Sequence, residues 1–200
     1  MAGVEVGVEG AEIVPLGERG FFTRDWFLGG PDALGLAEEA ERLAREGAYA
    51  RAGVSRGADR RLDPGVRGDQ ICWLEPGRFP AVHAAFDRLR LELNAGAYLG
   101  LGRFDVQLAR YSGGGEGYQR HRDAFTGGSS SRRLTATWYL NPGWRPEHGG
   151  LLRLHLASGC LDVEPRLDRL VVFRSERVEH EVLPVHAPRY AATAWYYGPL

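Results

Sequence analysis

Apolar positions recur with helical spacing in two segments of the first half of the chain. Residues 31 to 47 begin with a proline, place alanines and leucines three or four positions apart, and stop at a glycine. A second segment follows Pro80, repeats apolar residues in the same way and ends at residues 94 to 96. A proline at the start and a glycine after the last apolar turn are the usual ends of a helix. We therefore predict two amphipathic helices that face a core.

From Phe104 onward the pattern changes to short segments rich in Val, Thr and aromatic residues, separated by clusters of Gly, Pro, Asn and Ser. This alternation is typical of strands and turns. The predicted strands lie near residues 104 to 111, 118 to 124, 133 to 140, 151 to 156, 169 to 173, 180 to 185 and 189 to 197. Helices followed by many short antiparallel strands predict an α+β, mostly β fold: a jelly roll, or double-stranded β-helix, with N-terminal supporting helices.

The composition is that of one globular unit. The 200 residues are 44% hydrophobic and 26% charged, so we expect a single domain over residues 1 to 200, with helical support at about 31 to 95 and a jelly-roll core at about 104 to 198. The 25 Lys and Arg against 26 Asp and Glu leave a net charge of -1. No field of one sign therefore favours a nucleic acid or an anionic membrane as partner.

The two cysteines and the N-terminal segment both bear on location. Cys72 and Cys160 have apolar neighbours and match no metal-ligand spacing, so we expect reduced core thiols. The N-terminus lacks the basic region and the continuous apolar stretch of a signal peptide, and no apolar run approaches membrane-spanning length. These features predict a cytoplasmic protein with no membrane partner.

Candidate chemistry begins in GYQRHRDAFTGG, residues 117 to 128, which places His121 and Asp123 two apart on a predicted strand. Side chains at i and i+2 of a strand point to the same face. One carboxylate and two imidazoles form the facial set of non-haem Fe(II) oxygenases, and His180 in RVEHEV is the candidate third ligand. His155 does not complete a better set. A His-x-Asp pair alone is weak evidence, because a surface strand of mixed charge can carry it too.

Two predicted strands describe the surroundings of such a centre. In RYAATAWYYG, period-two alternation puts Arg189, Thr193 and Trp195 on one face, and in RLTATWYLN it aligns Thr135, Thr137 and Tyr139. Hydroxyl groups that point into a barrel indicate a polar ligand. A guanidinium binds a carboxylate through two parallel hydrogen bonds, whereas lysine supplies only a point charge. Arg189 is therefore a candidate anchor for a dicarboxylate.

Several motifs in fixed order carry a specific resemblance. The stretches RYSGGGEGYQRHRD, WYLNPGW, HGGLLRLH, DRLVVFRSERVEHEV and RYAATAWYYG resemble the catalytic domain of the oxygen-sensing animal prolyl hydroxylases, which are Fe(II)/2-oxoglutarate oxygenases. Upstream, VRGDQICWLE resembles the segment that carries a substrate-covering loop and strand in that family. The resemblance covers roughly residues 64 to 198, and several motifs are far more specific than one.

The resemblance implies an enzyme, a 2-oxoglutarate-dependent dioxygenase of the prolyl 4-hydroxylase type. It implies Fe(II), 2-oxoglutarate and O2, with ascorbate as a candidate auxiliary, and hydroxylation of a prolyl residue in a protein with release of succinate and CO2. The implied iron ligands are His121, Asp123 and His180. The implied 2-oxoglutarate contacts are Arg189, Tyr139, Thr193 and the nearby Tyr111.

The substrate side is less determined. Residues 53 to 70 form a polar, glycine-punctuated segment that suits a mobile lid or a passive surface loop, and the lid is favoured by the family match around residues 67 to 73. Asp69 is then a candidate contact for the substrate backbone or the closing loop. Trp195 shares the face of Arg189, which favours the pocket over the core. Arg132 belongs either to a solvated pair or to the substrate entrance.

The identity of the substrate does not carry over from the family. This chain ends at Leu200, directly after the last predicted core strand, whereas the animal enzymes continue into a segment that helps engage substrate. Its compactness resembles bacterial relatives, of which one hydroxylates a proline in elongation factor Tu, so this factor is a candidate partner. Free proline or another small substrate is an alternative, as is a non-catalytic, cupin-like metal-binding module. Arg189 and Tyr139 argue against the module, because metal binding alone needs no dicarboxylate anchor.

Overall fold

The computed structural model describes residues 10–53, 63, 65–124 and 132–199. The helices are α1 (Gly10–Glu18), α2 (Gly30–Arg45) and α3 (Pro80–Ala97). The strands are β1 (Phe21–Arg24), β2 (Ala50–Arg51), β3 (Gln70–Trp73), β4 (Phe104–Tyr111), β5 (Tyr118–His121), β6 (Arg132–Tyr139), β7 (Leu152–Leu156), β8 (Gly159–Val163), β9 (Leu170–Arg174), β10 (Glu179–Val182) and β11 (Arg189–Tyr197). A short 3₁₀ turn covers Pro146–His148. No helix within the described ranges combines the length and apolar character needed to cross a bilayer.

The strands form two antiparallel sheets. The major sheet has seven strands in the order β1-β9-β6-β11-β4-β3-β2, and the minor sheet has four in the order β5-β10-β7-β8. Strands that are distant in sequence therefore become neighbours, as in a jelly roll. β10 lies between β5 and β7, and its register places His180 directly opposite His121 on β5 and opposite Leu154 on β7.

The helices cover one face of the major sheet. Successive residues of β11 point to opposite faces of this sheet, and the apolar ones on one face pack against the helices. Tyr190, Ala192, Ala194 and Tyr196 join the large apolar core with the buried sides of α2 and α3. The Tyr196 hydroxyl donates a 2.7 Å hydrogen bond to the backbone carbonyl of Phe86 in α3, and the Phe86 and Trp138 rings meet edge to face. The opposite face of the sheet is left free to line a cavity.

A buried aspartate connects the start of α2 to the major sheet. Asp168 is fully buried and accepts hydrogen bonds from the backbone N–H groups of Leu28 and Gly29 at 3.0 and 2.8 Å. It also accepts from the Trp138 indole at 2.9 Å. Its φ of 61° lies in the left-handed region, which aspartate tolerates better than most residues. Three donors that would otherwise be unsatisfied are thereby paired.

The predicted fold class is confirmed, with differences in the elements. The helices predicted from residue 31 and after Pro80 correspond to α2 and α3. The hydrophobic pattern of the sequence did not reveal α1, β1, β2 and β8. The strand predicted over 118 to 124 was too long, because β5 pairs with β10 only as far as His121. The expectation of core thiols was wrong for Cys160, which is exposed on β8 at the edge of the minor sheet, while Cys72 is half-buried.

Candidate active site

A cavity of about 640 Å³ lies between the two sheets. The major sheet lines it with the face of β11 that carries Arg189, Ala191, Thr193 and Trp195, as the alternation of that strand predicted. Thr135 and Thr137 of the neighbouring β6 contribute hydroxyl groups to the same wall. The minor sheet contributes His121 and His180. Every polar position that the sequence placed on the inner face of these strands, apart from Tyr139, lines the cavity.

Three potential metal ligands converge on one wall of this cavity. The ligand atoms of His121, Asp123 and His180 all lie within 4.8 Å of one another. Each imidazole Nε2 is 3.7 Å from a different oxygen of the Asp123 carboxylate. Asp123 follows the end of β5, so a bend and not the strand alternation brings it beside His121. The predicted convergence is therefore present, but the predicted local reason for it was wrong.

Neighbouring groups fix the orientation of these three side chains. The Nδ1 atoms of His121 and His180 lie 2.8 and 3.3 Å from the backbone carbonyls of Gln119 and Val178, which leaves each Nε2 directed at the cluster. A histidine whose other ring nitrogen donates to a carbonyl is held in one tautomer, as metal-binding histidines commonly are. The carboxylate of Asp123 accepts a 2.7 Å hydrogen bond from Thr135.

The protonation states also fit metal ligation. Burial lowers the pKa of His180 to about 4, so the imidazole is neutral near pH 7. Burial acts in the opposite direction on Asp123, but the two imidazoles and Arg132 outweigh it and hold the pKa of this carboxyl well below its usual range. Neutral imidazoles and an ionised carboxylate are the forms that bind a divalent cation. The three residues therefore fit Fe(II).

A second polar centre in the cavity surrounds Arg189. This residue is only 4% exposed, and its Nε donates a 2.8 Å hydrogen bond to the carbonyl of Gly150. Its guanidinium carbon lies 5.3 and 5.1 Å from the ring centres of Tyr111 and Tyr139. No acidic side chain in the described part of the chain forms an ion pair with it. A buried cation without a counter-ion is costly, so the site favours an anionic ligand.

The hydroxyl groups near Arg189 support the same inference. The Tyr139 hydroxyl oxygen is buried and has no hydrogen-bond partner among the described residues. Burial raises the pKa of Tyr139 to about 12, so the phenol is neutral and can donate to an anion. Thr193 faces the cavity and shares a 3.2 Å hydrogen bond with Thr137. A buried phenol without a partner is the exception that calls for a ligand.

The other sequence candidates lie at the remaining walls. Arg132 stacks on the Trp195 ring at 4.1 Å and approaches Asp123 at 3.9 Å, so it lines the cavity and is not half of a solvated pair. Trp195 is 6% exposed, and its indole nitrogen has no hydrogen-bond partner among the described residues. Asp69 is 3% exposed and accepts two hydrogen bonds from Arg67, at 2.7 and 2.9 Å.

The predicted lid is described only in part. Residues 54–62 and 64 lie outside the described ranges. The segment that follows them is attached to β5: Gly68 N–H donates to Gly117 O at 2.9 Å, and Gln119 N–H donates to Val66 O at 2.8 Å. Arg67 also lies over the Tyr118 ring at 4.8 Å. The C-terminal end of the predicted lid is thus joined to the strand that carries His121.

Several residues that shape the site were not apparent from the sequence. Thr135 was noted for its hydroxyl but not as the partner of Asp123, and Ser175 continues that contact at 2.9 Å. Gly150 was not singled out, although a Cβ at this position would lie 2.7 Å from Arg189 Cδ. The signal in the sequence is the glycine pair of the HGG motif, because adjacent glycines are typical of a tight turn. The structure agrees with this signal, since Gly150 has a φ of +70°.

Two imidazoles and one carboxylate leave metal coordination positions free, and an arginine with a neutral phenol can hold the far end of a dicarboxylate in the same jelly-roll cavity. These properties define the class of 2-oxoglutarate- and Fe(II)-dependent oxygenases. Residues 106–197 match the family model of the 2OG-Fe(II) oxygenase superfamily.

Individual proteins similar to this chain identify the family within this class of oxygenases. Prolyl hydroxylase EGLN3 from Homo sapiens is 39% identical over 204 residues, covering 92% of this chain and 82% of that protein. A prolyl-4-hydroxylase from Pseudomonas putida superposes with a TM-score of 0.83 at 38% identity, over 93% of this chain and 96% of the other. A Trichoplax adhaerens prolyl hydroxylase, solved with a peptide of a hypoxia-inducible factor, gives 0.84 at 29% identity, over 93% and 87%. The chain belongs to the prolyl hydroxylase family of these oxygenases.

The coverage differs among relatives. The chain spans about half the length of Egl nine homolog 1 from Homo sapiens, matching 46% of that protein at 35% identity.

Proposed function

We propose that this chain is a prolyl 4-hydroxylase that acts on a proline within a protein substrate and releases succinate and CO2. The observation that carries the proposal is the presence of two complementary centres in one cavity: the His121, Asp123 and His180 cluster, and the buried Arg189 beside an unpartnered Tyr139 hydroxyl. A module that only bound metal would have no use for the second centre. The described part of the chain would work as one oxygenase domain, with α2 and α3 as its support.

In this proposal His121, Asp123 and His180 hold Fe(II), and Arg189 with Tyr139 holds the distal carboxylate of 2-oxoglutarate. Iron and 2-oxoglutarate together supply the activation of O2 that inserts an oxygen atom into an unactivated C–H bond. Thr193 faces the same cavity and Tyr111 covers one side of Arg189, which supports assigning both to the 2-oxoglutarate site.

The chain's own contribution is to place and shield the reacting groups. Thr135 donates to one oxygen of Asp123 and so fixes the carboxylate plane. The guanidinium of Arg132 lies near the other oxygen and favours the ionised form. Arg189 is 4% exposed and lies beside the rings of Tyr111 and Tyr139, so its charge-assisted hydrogen bonds to an anion would be made away from bulk water, where they are stronger.

A prolyl side chain suits the entrance as well. Trp73 is 46% exposed, and its ring centre lies 6.2 Å from that of the buried Trp195. Proline-containing segments dock in grooves lined by aromatic rings, because the flat ring face buries the pyrrolidine without demanding hydrogen bonds. We therefore assign Trp195 and Arg132 to the substrate side. Asp69 would act through Arg67, which it holds beside Tyr118, and not through a direct substrate contact.

The protein target is proposed on family grounds. EGLN3 is named as a prolyl hydroxylase, and the Trichoplax enzyme was solved with a peptide of a hypoxia-inducible factor. A bacterial prolyl-4-hydroxylase matches this chain over nearly its full length, which favours elongation factor Tu as the first substrate to test. The cytoplasmic location and the role of ascorbate stay predictions.

The experiment is a turnover assay with matched substrates. Purified protein is incubated with Fe(II) and 2-oxoglutarate, with and without ascorbate, and with elongation factor Tu, proline-containing peptides or free proline. Succinate release and a mass gain of one oxygen atom on proline are expected together. A peptide in which alanine replaces the target proline is the control. Oxidation of free proline alone would favour the small-substrate alternative, and metal binding without succinate would favour the module.

A further inference from the structure

A second cluster of reactive side chains lies on the outer face of the minor sheet, opposite the cavity. The β7–β8 hairpin pairs His155 with Cys160, and Glu181 lies on the adjacent strand β10. The Cys160 Sγ is 3.4 Å from Nδ1 of His155, and Nε2 of the same ring is 2.9 Å from a carboxylate oxygen of Glu181. A thiol, an imidazole and a carboxylate therefore form one chain of hydrogen bonds.

We propose that Cys160 is a thiol-modification site that reacts with small disulfides by thiol–disulfide exchange. His155 acts as its general base, and Glu181 is a positioning residue that acts through His155. None of the three residues lines the oxygenase cavity, so the site is separate from the one described above.

The direction of the hydrogen bonds supports a base at His155. Glu181 is an acceptor, so the Nε2 atom that faces it carries the proton. The Nδ1 atom then presents a lone pair to the Cys160 thiol. A nucleophile next to a base that is itself oriented by a third group is the arrangement that activates thiols and hydroxyls in enzymes.

The thiol is also accessible. Cys160 is exposed, and β8 is an edge strand that pairs only with β7 in the minor sheet. The side chains of His155 and Glu181 are 15% and 26% exposed, so the base is sheltered while the sulfur can be reached. Cys72 provides the contrast: it is half-buried, burial raises the pKa of its thiol, and the thiol donates to the Trp73 carbonyl at 3.7 Å.

The charged groups around the cluster are engaged with one another. Arg153 and Asp162, on the same face of the hairpin, form a 2.7 Å ion pair. Glu179 lies opposite His155 in the strand register and is bound by Arg120, with Arg122 at 3.7 Å. The imidazole of His155 is therefore the group in position to accept the proton of the thiol.

The exchange needs no oxidant other than the incoming disulfide. The Cys160 proton moves to His155 Nδ1 as Sγ attacks one sulfur of the incoming disulfide. One S–S bond forms with Cys160 while the S–S bond of the reagent breaks. The departing sulfur is reduced to a thiolate and takes the proton back from His155, and Cys160 is oxidised to a mixed disulfide.

The test uses single-thiol variants and a disulfide whose release is coloured, 4,4′-dithiodipyridine, with oxidised glutathione as the second probe and mass spectrometry to locate the adduct. In the Cys72→Ser protein, Cys160 should react faster than the same thiol in the chain unfolded in denaturant. An exposed but unassisted thiol gains nothing from folding. A folded rate equal to or below the unfolded rate would overturn the proposal, whatever the substitutions below do to the fold.

The role of the base is tested in the same background. His155→Ala should slow the reaction about tenfold or more. General-base assistance in enclosed sites commonly contributes about 10²- to 10⁴-fold, and the exposure of Cys160 to water places its effect below that range. Added imidazole should restore part of the rate, which a purely structural loss would not allow. Glu181→Gln should give a smaller decrease. The matched control His148→Ala should leave the rate unchanged. Equal rates for His155→Ala and its parent, with no effect of imidazole, would refute the assignment.

Discussion

Replacement of Arg189 tests the dicarboxylate anchor directly. The guanidinium is buried, donates from its Nε to the Gly150 carbonyl, and has no acidic partner within the described residues, so its charge is available to an anionic ligand. Breaking a buried ion pair by removing one partner costs about 3 to 5 kcal/mol. At about 1.4 kcal/mol per factor of ten, Arg189→Ala should weaken 2-oxoglutarate binding roughly 10²- to 10³-fold or more.

The conservative replacement separates charge from geometry. Arg189→Lys keeps the positive charge but loses the paired donors, and a hydrogen bond to a charged group contributes about 1.5 to 3 kcal/mol. Binding should therefore weaken about 10- to 10²-fold, clearly less than for Arg189→Ala. Calorimetric titration of the Mn(II)-loaded protein under nitrogen measures affinity without turnover. Arg145→Ala, which removes an exposed arginine of another surface, is the control. Equal losses for lysine and alanine, or a loss below tenfold for alanine, would contradict the anchor.

Three further substitutions probe the metal centre, the anchor's support and the fold. His121→Ala should abolish Fe(II)-dependent succinate release while circular dichroism stays unchanged; undiminished turnover would remove His121 from the metal set. Gly150→Ala would place a Cβ 2.7 Å from Arg189 Cδ, whereas Gly143→Ala, at a similar positive φ, meets nothing within 4 Å. Calorimetric titration should therefore show at least tenfold weaker 2-oxoglutarate binding for Gly150→Ala but not for Gly143→Ala. Both variants should carry about 1 to 2 kcal/mol of backbone strain. Equal affinities of the two variants for 2-oxoglutarate would show that the added Cβ does not displace Arg189. Asp168→Ala leaves the buried Trp138 indole and the part-buried N–H groups of Leu28 and Gly29 unpaired. A buried unpaired donor costs about 1 to 3 kcal/mol, so urea unfolding should show a loss of about 2 kcal/mol or more; a loss under about 1 kcal/mol would argue against this connection.

The parts of the site that the sequence predicted are those governed by period-two alternation. In β11 and β6 the pattern alone separates cavity-facing residues from helix-facing ones, because each strand is regular along its length. Arg189, Thr193 and Trp195 are found on the face on which the pattern placed them. His180 was predicted as the third ligand from the family resemblance of the motifs. No local pattern predicts that it lies beside His121, because their contact depends on the pairing of β10 with β5.

The remaining features depend on contacts between distant segments. Asp123 reaches the metal cluster from a bend, and its position is supported by Thr135 on another strand. Asp69 appeared available for substrate, but Arg67 two positions earlier occupies its carboxylate. Cys160 has apolar neighbours in sequence, yet it lies on an edge strand whose residues before Val163 are all exposed. Neither periodicity nor composition contains this information.

The two sheets contribute different parts of the chemistry, and strand register is what keeps those parts together. The minor sheet supplies both imidazoles by pairing β5 with β10, while the major sheet supplies the arginine and the hydroxyl groups from β11 and β6. A shift of β11 by one residue would turn Arg189 toward the helices and bring Tyr190 into the cavity, since successive side chains alternate between faces. The buried Ala192, Ala194 and Tyr196 oppose that shift, because it would expose their apolar surface to the polar cavity. The helices therefore support the chemistry by fixing which face of β11 the cavity receives.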